Sequence, residues 1–375
     1  MVASAPAQRQ RGEDMEARPS SEAHHKLGLP TSDDNDDERV PRLAMSSITP
    51  REFESRFVRT NRPCILIGVG SGWRACREWA DAGRAIFEPL RERFGEEEVT
   101  VHDCSKKVLG RYRTSEMRLD ALFALWERGE GASLYLKDWN LAMTATAAEG
   151  EWYTTPPHFA SDWLNGFAHA TEQGSDHRFV YVGRASTFTP LHTDVLCSYS
   201  WSFNVAGEKK WWLIPPEDGW RLRADSSAGA LAHDLRELKS GDASFPGWDA
   251  EARSRVLCVR QRPGEAIFVP SCWVHQVSNE TDAISINHNW LNGNCAARCW
   301  DFLQARRDEI VRIVEGCADD EDTTQQILEF KWSFNFSSWA RLLICALDAS
   351  LLKVETTLAQ LASVGFGGDA QCGFG

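Results

Sequence analysis

The sequence lacks several features that would fix its class at once. It has 11 cysteines but no C-x-x-C pair, and nothing spaced like a second half-site follows the nearest couple, Cys295 and Cys299. That argues against a zinc-finger spacing and a disulfide framework, and for reduced thiols in a reducing compartment. No apolar run is long enough to cross a bilayer; the longest near the C-terminus is LLICAL at 342–347. The opening segment has no apolar h-region, so no secretory signal is expected, and Glu13, Asp14 and Glu16 do not suit an organelle transit peptide. Positive charge is in deficit: 41 Lys and Arg against 54 Asp and Glu give a formal net charge of −13. Direct binding to nucleic acid or to an anionic membrane is therefore not expected, and a basic partner is more easily met. No internal repeat is present. The expected location is the cytoplasm, with the nucleus as the alternative.

What is present reads as an ordinary globular protein of 375 residues with 42% hydrophobic and 25% charged residues, long enough for one large or two modest domains. The 16 tryptophans point to a Trp-rich core or groove. Residues 1–44 are polar, rich in Pro and Ser, and end in the acidic run DDNDDE, so disorder is expected there. Residues 45–150 read as a helix and strand region. Ser47 or Thr49 can cap a short helix bearing Phe53 and Phe57 on one face, PCILIG reads as a buried strand, and LDALFALWERGEG reads as an amphipathic helix stopped by glycine. SLYLKDW at 133–139 is a further strand. Between 178 and 290 the texture changes to short strands separated by Gly, Pro and Asn turns, interrupted by an irregular insertion at 217–253, which indicates an antiparallel sandwich or barrel. Residues 301–375 have helical periodicity.

One constellation carries chemistry. In PLHTDV, His192 and Asp194 stand two apart, so in an extended chain both project from one face. His275 lies far downstream in VPSCWVHQV, another strand-like run. Two histidines and one carboxylate are the facial set of non-haem Fe(II) oxygenases. Three protein ligands on one face of an octahedron leave room for a bidentate 2-oxo acid and dioxygen. An H-x-D pair alone arises readily by chance, and a strand histidine is usually a satisfied polar residue. Downstream context adds weight. Lys209 follows Gly207 and Glu208 at a turn and shares a face with Trp211 and Leu213 in KKWWLI. A lysine pointing into a barrel is costly unless it meets an anion, which a dicarboxylate would supply. Periodicity leaves open whether Lys209 or Lys210 points inward, or whether both lie at a solvated edge.

Residues 151–300 resemble a JmjC domain of the 2-oxoglutarate oxygenase family. The resemblance is carried by SDWLNGF, RFVYVG, PLHTDVLCSYSWSFNVAGEKKWWLIPP, GEAIFVPSCWVHQVSN and ISINHNWLNGNC, and extends more loosely to SLYLKDW upstream and FNFSSW downstream. It implies a mainly β fold with flanking helices, a double-stranded β-helix or jelly roll of the cupin type. It also implies Fe(II), 2-oxoglutarate as co-substrate and O2. His192, Asp194 and His275 match the iron ligands. Lys209 and Thr189 match residues that hold the distal carboxylate of 2-oxoglutarate, and Tyr135 resembles a phenol reaching the same carboxylate. Asn287 and Asn289 alternate with Ile286 and His288 and would face the pocket, the plainer reading being strand-edge hydrogen bonding. His288 competes as a ligand but sits on the opposite face. Cys197, Cys272, Trp201, Trp211, Trp212, Trp273 and Trp290 read as packing.

The branch resembled hydroxylates a lysine of the eukaryotic class I translation release factor, so a protein lysyl hydroxylase is the expected function. The alternatives are a lysine demethylase with the same oxidant, opposed by the lack of a chromatin-reader module, and a non-enzymatic scaffold, opposed by the intact triad. Asp138, Asp162 and Glu265 are conceivable partners for a substrate lysine, with nothing in the sequence to choose among them.

Overall fold

The computed structural model describes residues 37–108, 111–143, 150–171, 176–224, 230–239 and 241–317. Disorder is expected through residue 44, yet the described chain is already ordered before that point. Val40 is buried, and β1 (Arg42–Ala44) pairs in parallel with β2 (Cys64–Ile67). The reason is local: behind the acidic run, Val40 and Leu43 can bury against a strand that would otherwise be a bare sheet edge, and Arg42 ion-pairs with Glu265 at 2.6 Å. Averaging over the acidic run hides this. The expected tail at 1–36 and the helical segments beyond 317 lie outside the described residues.

Thr49 supplies the first cap. Its hydroxyl accepts from the Glu52 amide while the Glu52 carboxylate reaches back to the Thr49 amide, and Pro50 sits in the first turn. The helix widens into a π turn over Glu54–Val58, and Phe53 and Phe57 are both buried with ring centroids 5.8 Å apart. The helix Leu119–Glu127 buries Leu119, Leu122, Phe123 and Trp126.

A short hairpin, β3 (Ala80–Asp81) and β4 (Arg84–Ala85), and a longer set, β5 (Glu98–Val108), β6 (Arg111–Arg118) and β7 (Leu134–Trp139), precede the main body. There the chain runs through β8 (Arg178–Gly183), β9 (Phe188–His192), β10 (Tyr199–Ala206), β11 (Lys209–Ile214), β12 (Leu257–Gln261), β13 (Glu265–Val269), β14 (Val274–Asn279) and β15 (Ala283–Trp290). One sheet has the order β1-β2-β13-β10-β15-β8-β7-β5-β6 and the facing sheet β12-β11-β14-β9. From β8 to β15 the chain passes back and forth between the two, every pairing among these eight being antiparallel. This is the expected jelly roll, with β7, β5 and β6 extending one side of the larger sheet.

Strand alternation sorts the side chains. Tyr199, Trp201, Phe203 and Trp290 pack on the outer face of the larger sheet with the N-terminal helices. Trp212 and Ile214 pack outside the smaller sheet, beneath the insertion's Leu222, Leu235 and Trp248. The interior holds Ile65, Trp211, Leu213, Val259, Ile267, Val269 and Val277. Full burial of each such side chain contributes roughly 1.5–3 kcal/mol. The five tryptophans read as packing are all buried.

Gly207, in the turn between β10 and β11, has φ +80°, and a Cβ there would meet the Asp282 carbonyl oxygen at 2.1 Å. Gly207→Ala should therefore destabilise the fold by on the order of 2–4 kcal/mol. Thermal unfolding of the purified variant checks this, and an unchanged melting temperature would show that the turn relaxes freely.

Candidate metal centre

His192 ends β9 and His275 lies near the start of β14, where the two residues are direct antiparallel partners. Cross-strand partners project to the same face, and the two imidazole centroids are 4.2 Å apart. Asp194 is not on the strand: β9 stops at His192, and Asp194, still extended at φ −60° and ψ 156°, leads into a tight turn over Val195–Cys197. The extended geometry keeps its carboxylate beside the histidines, with Oδ2 4.0 Å from His275 Nε2. One donor atom from each of the three residues lies within 4.8 Å of the others, and His275 is buried while the other two are half-buried.

The surroundings fix which atoms can bind. His192 Nδ1 is 2.8 Å from the Pro190 carbonyl oxygen and His275 Nδ1 is 3.2 Å from that of Trp273. A carbonyl only accepts, so each Nδ1 carries the proton and each Nε2 presents a lone pair, the tautomer a metal needs. Burial, and then the neighbouring His275, push the His192 imidazole down to about 3, so at neutral pH no proton competes there. Ser200 donates to Asp194 Oδ2 at 2.7 Å. Trp211 stacks against His275 with centroids 5.9 Å apart. Two imidazole nitrogens and one oriented carboxylate are a donor set that suits divalent iron.

The other expected residues line the same interior. Lys209, not Lys210, points inward: it is 2% exposed and its ammonium donates to Ser285 Oγ at 2.6 Å. Among the described residues no carboxylate pairs with it. Burial, and then Lys137, push its pKa down to about 7. Tyr135 is buried with the side chains of Asn279 and Thr189 in hydrogen-bonding reach of its phenol. Thr189 stands three residues before His192, a spacing that regular alternation would send to the opposite face. A bulge in β9 restores it: Thr189 pairs with Val277 while His192 pairs with His275, three residues against two. Asn287 and Asn289 pair across from Ser202 and Ser200 on the inward face of β10. Asn287 donates to Ser285 Oγ at 3.1 Å and Asn289 to Ser198 Oγ at 3.3 Å. His288 faces away, buried beside Trp201 and 2.8 Å from the Tyr153 hydroxyl. Cys197 and Cys272 lie in turns with left-handed φ rather than on strands.

Sequence reasoning missed Lys137, Tyr181, Ser200, Ser202, Ser285 and Asn279. A signal existed for most: Lys137 is two after Tyr135, Ser200 and Ser202 alternate with Trp201, and Ser285 is two before Asn287. Lys137 Nζ lies 5.6 Å and Lys209 Nζ 5.9 Å from the Tyr181 ring centroid. Ser202 Oγ, Asn204 Oδ1 and Asn279 Oδ1 are buried without a hydrogen-bond partner. Unmet polar groups of this kind mark space meant for a polar guest. A separate cavity of about 540 Å³ beside Arg62, Pro215, Trp273 and Arg298 shares no residue with the triad.

Fold and donor set together define a metal-binding jelly roll, and residues 50–294 match the model of the cupin-like domain. The chain belongs to this family, in its JmjC group. It is 33% identical over 322 residues to the 2-oxoglutarate and iron-dependent oxygenase JMJD4 of Mus musculus, spanning 82% of this chain and 74% of that one. It is 37% identical to the JMJD4 of Danio rerio over 73% of this chain and 66% of that one. The arginine-specific demethylase JMJ20 of Arabidopsis thaliana is 32% identical over 80% of this chain and 68% of its own length.

If Ser200 orients Asp194, Ser200→Ala should weaken Mn(II) binding by about tenfold or more with little change in melting temperature. Calorimetric titration of the metal measures this, and an unchanged affinity would mean the backbone alone aims the carboxylate.

Proposed function

We propose that the chain is an Fe(II)- and 2-oxoglutarate-dependent oxygenase that hydroxylates a lysine of a protein substrate. The observation that carries the reading is the pairing of an oriented two-histidine, one-carboxylate set with Lys209, a buried ammonium without a carboxylate partner, in one interior. Lys209 lies four residues along β11 from Leu213, the cross-strand partner of His275, about 13 Å at ordinary strand rise. A dicarboxylate reaching from the metal to this ammonium fits that arrangement.

In this reading His192, Asp194 and His275 would hold the iron. Lys209, Thr189 and Tyr135 take the distal carboxylate of 2-oxoglutarate, and Asn287 and Asn289 line the wall beside it. Trp211 and the apolar interior keep water away from His275. When bound, iron with 2-oxoglutarate and O2 supplies the oxidation: one oxygen atom enters a substrate C–H bond, and 2-oxoglutarate leaves as succinate and carbon dioxide.

The substrate we propose is the eukaryotic class I release factor, modified in the cytoplasm. The resemblance of the sequence to the branch that modifies this factor motivates it, and a net charge of −13 suits a lysine-bearing partner. The similarity to JMJ20 favours a second reading, removal of an N-methyl group by the same oxidation. Mass spectrometry of release factor incubated with enzyme, iron and 2-oxoglutarate separates the two. A gain of one oxygen on a lysine, absent without 2-oxoglutarate and with His192→Ala, is expected. Formaldehyde from a methylated peptide, with no oxygen gained on lysine, would replace it with the second reading.

The Lys209 role has a pH consequence. The dicarboxylate binds the ammonium form, whose pKa in the free protein is lowered to about 7. Above that pH, binding must take up a proton, so the Kd for 2-oxoglutarate should rise by about tenfold per pH unit. Lys209→Ala should weaken binding and flatten this slope. A wild-type affinity independent of pH from 6.5 to 8.5 would remove Lys209 from the role.

A further inference from the structure

The oxygenase reading leaves open which group recognises the substrate side chain, and the inference here rests on that reading. Strands β7 and β8 pair out of step: Leu136 stands opposite Val182 and Trp139 opposite Val180, so Lys137 and Asp138 together face the single residue Tyr181. This is a β-bulge. Leu136, Trp139, Val180 and Val182 all belong to the outer core, which leaves Tyr181 and the inserted pair on the side of the barrel interior. Asp138 takes φ +59°, the left-handed region that L residues other than Asn and Asp rarely enter. Strain of this kind persists only where neighbours hold it.

Here the neighbours are specific. The Tyr181 hydroxyl donates to Asp138 Oδ1 at 2.7 Å. Asp138 Oδ2 is 3.8 Å from His102 Nε2, and the Asp138 side chain remains 50% exposed. Burial, and then Lys137, hold the His102 imidazole toward its neutral form, and the Asp138 charge is also felt by Lys137, whose own ammonium is disfavoured by burial. The Tyr181 ring links this carboxylate to the pocket, since its face lies within 6 Å of both lysine ammonium groups. The two other carboxylates that the sequence offers are committed elsewhere. Glu265 is buried, paired with Arg42 and bonded to the Arg262 amide. Asp162 caps the helix Trp163–Thr171 through the amide and side chain of Asn165, and burial raises its pKa to about 6.

We propose that Asp138, presented by the β7 bulge and aimed by the Tyr181 hydroxyl, accepts the cationic end of the substrate side chain at the mouth of the metal pocket. It is a specificity-determining residue: its exposed oxygen makes a charge-assisted hydrogen bond to an alkylammonium or a guanidinium, and a neutral side chain of the same length leaves it unpaired.

Asp138→Asn tests this, because asparagine tolerates the left-handed region and keeps an oxygen for the Tyr181 hydroxyl while removing the charge. Rates of the iron-loaded enzyme are measured on release-factor peptides carrying lysine or norleucine at the modified position, and on an arginine and citrulline pair. In the wild type kcat/KM should favour the cationic member of the pair that is turned over. In Asp138→Asn that preference should fall by about tenfold, through KM for the peptide, with KM for 2-oxoglutarate within about twofold. A preference unchanged in the variant overturns the proposal and leaves Asp138 as an anchor for Tyr181. If the wild type oxidises norleucine as well as lysine, the proposal falls while the oxygenase reading stands. If the wild type consumes no 2-oxoglutarate with any of these peptides, both fall.

Discussion

Everything in this molecule hangs on the cost of placing polar groups inside a closed jelly roll. Two facing sheets leave an interior reached by alternate side chains, and a polar group there must find a partner or carry a desolvation penalty. One portion of this interior meets that demand with hydrocarbon: Ile65, Leu213, Ile267 and Val269 close on one another. The rest does the opposite and gathers two histidines, two lysines, several serines and asparagines and two tyrosines. Only part of that set is satisfied from within. The imidazole Nδ1 atoms have their carbonyls and Lys209 has Ser285, while Ser202, Asn204 and Asn279 retain unpaired atoms. The lone pairs of the two imidazoles and the Lys209 ammonium are the parts of this pocket that a metal ion and an anionic guest would complete.

Much of this was legible in the sequence, and for definite reasons. The strands between 178 and 290 are short and separated by turn residues, so the antiparallel two-sheet texture could be read, although β9 ends at His192, before the extended stretch that carries Asp194. His192 and Asp194 shared a face because the chain is extended through both, even though the strand ends at the first. Asn287 and Asn289 faced inward because β15 is regular, as simple alternation requires.

Regularity is also where legibility stopped. The parity of Thr189 and His192 is wrong for a flat strand and is corrected by a bulge, whose one sign in the sequence is Pro190 between them, on an edge strand. At Lys137 and Asp138 no residue type announces the irregularity, yet their neighbours Leu136 and Trp139 both face outward with two residues between them. The segment Asp37–Ala44 departs from the disorder its composition suggests because its order comes from a sheet edge some twenty residues away in sequence. Choosing among Asp138, Asp162 and Glu265 was beyond the sequence, since it depended on which arginine or helix terminus each carboxylate had already met.

The β7 bulge also bears on how such a site can change over generations. An insertion or deletion inside a regular strand shifts its register and turns every later side chain to the other face. At a bulge, the loss of one residue does the reverse and returns the ladder to its regular count. Tyr135 on one side and Trp139 on the other could then keep their places while the pair opposite Tyr181 is reduced to a single residue. The charge displayed at the pocket mouth is therefore alterable by a three-nucleotide change that spares the iron ligands and the fold, and lineages that acquire different side-chain preferences on this scaffold have a short path to them there.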